Sequence, residues 1–491
     1  MKKKSLVMLS LMTAACLLGG CAEGAGKLSV DVVDVRGKSA EYNVSSTAGL
    51  GQAVGFPMPE IKPVTSSSST SDITPTVVSP QTPQTPTVTP AVPVISTTTT
   101  TTTVPVVPEE PEPVEEDPEL PDIPDVNVGT NYYTALNYSE VKGIWISFLE
   151  LNGLASGSEG SFRQSISEVY DNCVDLGINT VYVHVRSHGD AYYDSELFPR
   201  TKYLGGSYDP LSIMIDEAHE RGLSFQAWIN PMRGCATGDI GRESGYPLYN
   251  WAGNETKLVT VNGYYYLNPA YDDVIELIAE GAAEIVANYD VDGIHIDDYF
   301  YPTTEKWFDN AAYQASPYTS LDDFRFANCD RLVSALYKAV KDANSTALFG
   351  VSPQGNYDNN YYYMYADVKK WCTNSGYLDY IMPQIYFGFD NANQPFETCL
   401  AKWDNIAKLG GTPLIVGLGP YRIGDEDSWA GSGRYEWQTD KKIIARQVET
   451  SEEAYSYGGI CLYSYNSLFK PSSSVKSQVE AELAALKSAL N

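Results

Sequence analysis

Residues 292–302 read Asp-Gly-Ile-His-Ile-Asp-Asp-Tyr-Phe-Tyr-Pro. The consecutive acids Asp297 and Asp298 are the groups in this chain best suited to chemistry. One carboxyl that keeps its proton and another that does not can serve a single bond as acid and base. Ile294 and Ile296 alternate with His295 and Asp297, and successive side chains of a strand point to opposite faces. If the isoleucines pack under helices, His295 and Asp297 project the other way. A carboxylate at the C-terminal end of a parallel strand, with Tyr299, Phe300 and Tyr301 beside it, sits where barrel enzymes place theirs. A strand closed by a hydrogen-bonded Asp turn reads the same, so the rest of the chain has to decide.

From about Tyr138 strand-like and helix-like stretches alternate. Strand-like runs fall at 141–148, 179–187, 223–231, 292–300, 347–353, 379–388, 413–420 and 458–466. Between them apolar residues recur at helical spacing, as in 272–288 and 322–342, and a last helix spans 474–489. Eight such units predict an α/β fold, a closed (β/α)8 barrel of the TIM type rather than an open doubly wound sheet. No glycine-rich phosphate loop follows the first strand, and no cofactor is expected.

Parity along each strand then acts as a filter. Val181, Val183 and Val185 share one face, leaving Tyr182, His184 and Arg186 on the other. Phe225, Ala227 and Ile229 go outward, and Gln226, Trp228 and Asn230 inward. Ile381 and Ile385 go outward, and Met382, Gln384 and Tyr386 inward. Arg186, Asn230, Asp297 and Gln384 are thereby expected at one mouth. A buried polar group costs a few kcal/mol unless paired, so four together point to a ligand. Tyr299, Phe300, Tyr301, Tyr386, Phe387, Tyr421, Tyr463 and Tyr465 are expected around them. Rings that keep a hydroxyl suit sugars.

The formal net charge of −29 excludes nucleic acid as a partner, because phosphate binding needs a basic surface. Met1-Lys-Lys-Lys precedes an apolar run from Leu6 to Leu18 that is too short to cross a bilayer. This reads as a secretory signal. Its ending, Leu18-Gly19-Gly20-Cys21, resembles a bacterial lipobox, which implies lipidation of Cys21 and an extracytoplasmic chain held to the membrane by that lipid. The chain divides into a signal (1–20), a short segment that is either a strand pair or disordered (21–61), a linker rich in Pro, Thr, Ser and Glu (62–137) and the barrel (138–491). The linker composition cannot bury enough apolar surface to fold.

Other chemistries fit less well. Cys173, Cys235, Cys329, Cys372, Cys399 and Cys461 form no Cys-x-x-Cys pair and read as small core residues. His184, His188, His219 and His295 make no His-Glu-x-x-His, and no Gly-x-Ser-x-Gly occurs, which sets aside a zinc protease and the common serine hydrolase. His295 with Asp297 and Asp298 could hold a divalent metal, but barrel carboxylates commonly work without one, and none is expected.

Seven stretches resemble one family: 141–146, 181–191, 227–233, 266–269, 292–302, 350–353 and 383–386. They include Ala-Trp-Ile-Asn-Pro-Met-Arg, Tyr-Leu-Asn-Pro and Pro-Gln-Ile-Tyr. The chain is similar in these to the glycosyl hydrolase-like 10 family of bacterial envelope lipoproteins, over most of residues 140–470. The resemblance implies a TIM-type barrel acting on β-linked envelope polysaccharide, with peptidoglycan glycan strands the expected substrate. It implies that Arg186, Asp190, Asn230, Arg233 and Asn268 line the sugar site and that Asp297 and Asp298 are catalytic. Met232 stands where that family commonly has an aromatic, which affects one sugar contact. His295, Tyr299, Tyr301, Gln384 and Tyr386 complete the expected binding set.

Most glycosidases flank the bond with two carboxyls, yet the fifth strand offers Ser352 and Gln354 and no acid. A substrate-assisted route is therefore expected. The sugar's own N-acetyl group attacks, one aspartate orients it, and the other donates a proton from a raised pKa. Both acids reach the site only if the strand breaks there, which Pro302 allows. Asp190 and Glu397 are reserve acids. Two rivals stay open, a non-catalytic polysaccharide-binding lipoprotein and a metal-dependent carbohydrate deacetylase.

Overall fold

The computed structural model describes residues 120–239 and 245–491, with the backbone of two short strands nearer the N-terminus. Those two, Ser29–Val33 and Ser39–Asn43, pair antiparallel. Cys21, the signal and most of the linker lie outside the described residues.

All eight strand-like runs form parallel strands. They are β1 (Val141–Ile146), β2 (Thr180–Arg186), β3 (Ser224–Ile229), β4 (Gly293–Ile296), β5 (Leu348–Val351), β6 (Tyr380–Ile381), β7 (Leu414–Leu418) and β8 (Tyr457–Leu462). They close into a barrel in chain order, with β8 against β1. A helix follows each strand: α1 (Glu159–Leu176), α2 (Pro210–His219), α3 (Asp272–Asn288), α4 (Leu321–Ala343), α5 (Val368–Thr373), α6 (Phe396–Gly410), α7 (Ile443–Ser451) and α8 (Lys476–Ala489). Local chemistry sets their ends. Ser158 accepts the Ser161 N–H to start α1, and Gly177 at φ 99° ends it in the left-handed region. Asp209 caps α2, with Pro210 at its first position.

Ile144, Val181, Val183, Phe225, Ala227, Ile294, Ile296, Phe349 and Val351 lie buried in the main core beneath the helices. Inside the barrel Val141, Trp145, Tyr182, Trp228, Tyr380, Met382, Ile415 and Cys461 fill the space, so it is a packed core rather than a pore. The six described cysteines are all free and buried.

The folded domain begins earlier than position 138. Ile123, Val126 and Val128 pack on Ile275, Ala279 and Ala283 of α3 and on Ala335 and Ala339 of α4. Asn131 donates to the carbonyls of Val286 and Tyr289, both at 3.1 Å. At the floor of the barrel, fully buried Asp292 accepts from the Tyr133 hydroxyl (2.9 Å), the Leu136 N–H (2.5 Å) and the Phe225 N–H (2.7 Å), with His219 Nε2 at 2.9 Å. Gln226 inside the barrel donates to Asn137 at 2.9 Å. Residues 120–137 thus close the floor, and composition alone hid this because isolated apolar residues between prolines carry no periodicity.

One parity expectation fails. The β2–β3 register runs His184 to Trp228 and then Arg186 to Ile229, so Val185 is an extra residue and everything after it changes face. Arg186 takes the outward side of Ile229. Its guanidinium lies 4.1 Å over the Phe198 ring, under α3 and away from the mouth. A Cβ on Gly281 would stand 2.2 Å from Arg186 Nη1 and 2.5 Å from Phe198. Gly281→Ala should gain about 1 kcal/mol of helix propensity and lose roughly 1–3 kcal/mol to overpacking. The net outcome expected is a destabilised chain with a lower urea midpoint, measured by chemical denaturation; a higher midpoint would show that Arg186 has room to move.

Candidate active site

β4 stops at Ile296, short of the expected end near 300. Asp297 and Asp298 follow at the C-terminal rim, so both carboxyls can turn into the mouth. Asn230 and Ser352 stand one residue beyond Ile229 and Val351, the partners of Ile296 in the neighbouring strands. They flank Asp297. The Tyr299 N–H reaches Asp297 Oδ1 at 3.3 Å. Gln384 Nε2 reaches Asp298 Oδ1 at 3.3 Å and the Ser352 carbonyl at 3.1 Å. The loop after β3 folds into a three-stranded antiparallel sheet, Arg233–Ala236, Leu258–Val261 and Tyr264–Leu267, which carries Arg233 to the acids.

Burial holds the Asp297 carboxyl well above the ordinary range, and the charge of Asp298 pushes it further; the Tyr299 N–H, Arg233 and Trp228 only partly offset this. Asp298 is raised too, chiefly by burial, against the amides of Gln354 and Gln384 and the charge of Arg233. The Arg233 side chain makes no hydrogen bond or ion pair among the described residues. Its guanidinium sits 4.8 Å from the Tyr299 ring and 5.6 Å from Tyr264. Beneath the acids His184 stacks on Trp228 at 3.7 Å. The ring nitrogens of His184, Trp228 Nε1, Asn230 Oδ1, Arg233 Nε and Ser352 Oγ are buried without a protein partner. One such atom costs about 1–3 kcal/mol, and their concentration here marks a polar pocket built for something other than stability. Tyr386, Tyr421 and Tyr463 form the facing wall, Tyr386 stacked on Tyr463 at 6.0 Å and perpendicular to Tyr421 at 5.5 Å.

Residues 140–430 match the sequence model of a family described as Glycosyl hydrolase-like 10. The chain belongs to the glycosyl hydrolase-like 10 family. It is similar to glycosyl hydrolase YngK of Bacillus subtilis (strain 168), 28% identical over 381 residues that cover 70% of this chain and 72% of YngK. It is similar to glycosyl hydrolase DigH of Escherichia coli (strain K12), 29% identical over 344 residues, 63% of this chain and 77% of DigH. Among solved structures, the PgaB (BpsB) glycoside hydrolase domain from Bordetella bronchiseptica is 13% identical with a TM-score of 0.47, covering 70% of this chain and 99% of that one. The last likeness is too distant to bear on chemistry.

This glycosyl hydrolase-like 10 barrel brings Asp297, Asp298, Asn230, Arg233, Tyr299, Gln384 and Tyr386 to one mouth and turns other expected residues elsewhere. His295 is a core residue: the Trp145 Nε1–H donates to its Nε2 at 3.2 Å, Tyr380 Oη lies 3.1 Å from Nδ1, and burial lowers its pKa to about 3. Tyr301 is buried, accepts from Asn328 at 3.0 Å and packs on Phe308. Asn268 spends its amide on the Thr256 carbonyl (2.9 Å) and the Ala270 N–H (3.1 Å), holding the loop that precedes α3. Asp190 is raised by burial and faces Thr201 and Lys202 rather than the acid pair. Glu397 is exposed on the first turn of α6. Phe300 packs on Trp371, and Tyr465 binds Asn172.

Sequence reasoning missed Glu150. Buried in the first turn of the helix Phe148–Ala155, just past β1, it accepts from the Ser464 hydroxyl (2.9 Å), the Asn466 N–H (2.6 Å) and the Ser147 N–H, and so ties the loop bearing Tyr463 to β1. The capping box Ser147-x-x-Glu150 was the available signal. Among the described residues, no three of His, Cys, Asp and Glu gather as a metal site.

The raised Asp297 predicts a trade between stability and site. Its folded pKa lies above the ordinary carboxyl value of 3.8, so stability is full below that pH and is lost as pH rises through the folded pKa. Asp297→Asn, which keeps shape without the charge, should melt higher than the parent at pH 7.5, with the gain vanishing below pH 3.8. Calorimetry across that range checks it; a variant that melts lower at every pH contradicts the assignment.

Proposed function

We propose that this protein is a cell-envelope glycoside hydrolase that cleaves β-linked, N-acetylated polysaccharide, with peptidoglycan glycan strands its substrate and Asp297 and Asp298 its acids. The observation that carries the reading is the acid pair itself. Two consecutive carboxyls face one polar mouth with the Arg233 guanidinium nearby and, among the described residues, no ion pair. Asp297, more strongly raised, is the acid of the pair that holds its proton and donates it to the leaving glycosidic oxygen. Asp298, supplied with amide donors by Gln384 and Gln354, is the carboxylate that orients the acetamido group as its oxygen attacks the anomeric carbon. Arg233 limits the build-up of negative charge. Membership of a glycosyl hydrolase-like family supports the reaction class, and the tyrosine wall suits pyranose faces.

A second reading, a barrel that binds polysaccharide without cleaving it, is favoured by one observation. Ser352, Gln354, Gln384, Tyr386, Tyr421 and Tyr463, which face the acids, are all uncharged. Incubation with peptide-stripped peptidoglycan separates the two. New reducing ends are expected from the parent, with rates lower on the order of 10²–10⁴-fold in Asp297→Asn and Asp298→Asn; binding without reducing ends leaves the second reading. Loss of activity on the alkaline side should track deprotonation of Asp297, and on the acid side protonation of Asp298.

The tether belongs to the same proposal. Cys21 carries the lipid that holds the mature chain at the membrane, and residues between it and the barrel give reach. Radiolabelled palmitate should enter the parent in a bacterial host and fail to enter Cys21→Ser, which would be released as soluble protein; equal labelling of both removes the anchor.

A further inference from the structure

The segments that follow β4 and β5, the strands that lead into Asp297 and Ser352, are joined through Phe326 of α4 by a continuous run of rings in tilted and edge-on contact. Trp307 meets Phe308 (centroids 6.4 Å apart), Phe308 meets Tyr301 (5.4 Å), Tyr301 meets Tyr365 (5.5 Å), Tyr365 meets Phe326 (5.8 Å), Phe326 meets Tyr361 (4.5 Å) and Tyr361 meets Tyr362 (5.3 Å). The middle of the run is buried and its ends are not: Trp307 is 54% exposed, Tyr362 66% and Tyr363 47%.

The frame behind them is braced. Arg325 donates to both oxygens of Asp309 at 2.8 and 2.7 Å with both side chains sealed from water, and its guanidinium lies 5.1 Å from the Tyr301 ring and 4.9 Å from Tyr365. The helix Tyr357–Met364 is pinned at Asn360, which accepts from the Gln354 N–H (2.9 Å) and donates to its carbonyl (2.8 Å). A single exposed ring needs no explanation. Trp307 and Tyr362 at the two ends of one clamped run of rings, with Tyr363 beside Tyr362 on the same helix, are held out to water by a rigid support on the end of the barrel that carries the acids.

We propose that Trp307 and the Tyr362–Tyr363 pair form a glycan-binding platform outside the acid pair, on which sugar rings of a long chain stack, so that the protein engages polymer in preference to short oligosaccharides. The inference rests on the glycan reading of the mouth, because Trp307 and Tyr362–Tyr363 belong to the segments that follow β4 and β5, the strands that lead into Asp297 and Ser352. Flat neutral rings meet the C–H faces of pyranoses without requiring charge, which suits a chain of net charge −29.

The test uses the mature full-length chain carrying Asp297→Asn to stop turnover, co-sedimented with chitin and with peptide-stripped cell-wall glycan. Trp307→Ala and the double variant Tyr362→Ala/Tyr363→Ala should each weaken binding about tenfold. In chains that retain Asp297, KM should rise more on polymer than on chitotetraose. Variants that sediment with glycan like the parent, or a parent that binds neither polymer, overturn the platform. Unchanged glycan binding with a self-association that the variants abolish assigns the face to a second copy instead. Weakened binding together with no reducing ends from any form leaves the platform standing and overturns the hydrolase reading.

Discussion

Two carboxyls on neighbouring residues cannot both carry full charge in a half-dry mouth. Burial disfavours the charged form of both, and the charge of Asp298 raises Asp297 further, so the pair favours a state that keeps one proton. The rest of the site is arranged around that constraint. β4 ends at Ile296 so that both acids face inward. His295 directly below stays neutral between Trp145 and Tyr380, because a cation there would pull the proton off. Arg233 is near enough to be felt by both acids yet bonds neither, being held over two tyrosine rings. A direct ion pair would lower an acid's pKa and end its use as a donor.

Glu150 shows the contrast between a structural and a reactive buried acid. It too is raised by burial, but its oxygens already accept three hydrogen bonds and face no open space. Its work is to fix the Tyr463 side of the mouth against β1. The acid pair has long, few hydrogen bonds and the open wall of tyrosines in front of it.

The barrel was legible because alternation of apolar residues is read directly from letters, and every strand-like run from 141–148 to 458–466 became a strand. Asp297, Asp298, Arg233 and Gln384 could be placed from the same periodicity and from the family resemblance. What failed did so for identifiable physical reasons. An extra residue at Val185 reverses parity, and no propensity announces a bulge, so Arg186 was sent to the wrong face. Parity says which side of a strand a residue takes but not how deep it lies, so His295 was read as a contact when it is a floor. Tyr301 and Asn268 share that fate: their types fit a sugar site, and their hydrogen bonds are spent on Asn328 and on the loop at Thr256. The start of the domain was misplaced because Ile123, Val126 and Val128 earn burial only against helices more than a hundred residues away.

The plug formed by residues 131–137 gives the domain a polarity. The chain enters through the floor, where Asn131, Tyr133 and Asn137 grip α3, Asp292 and Gln226, and the acids open at the opposite end. A pull along the chain from its N-terminal side is therefore borne first by Ile123, Val126 and Val128 on α3 and α4, then by Asn131 and the buried Asp292 knot, before it reaches the acids.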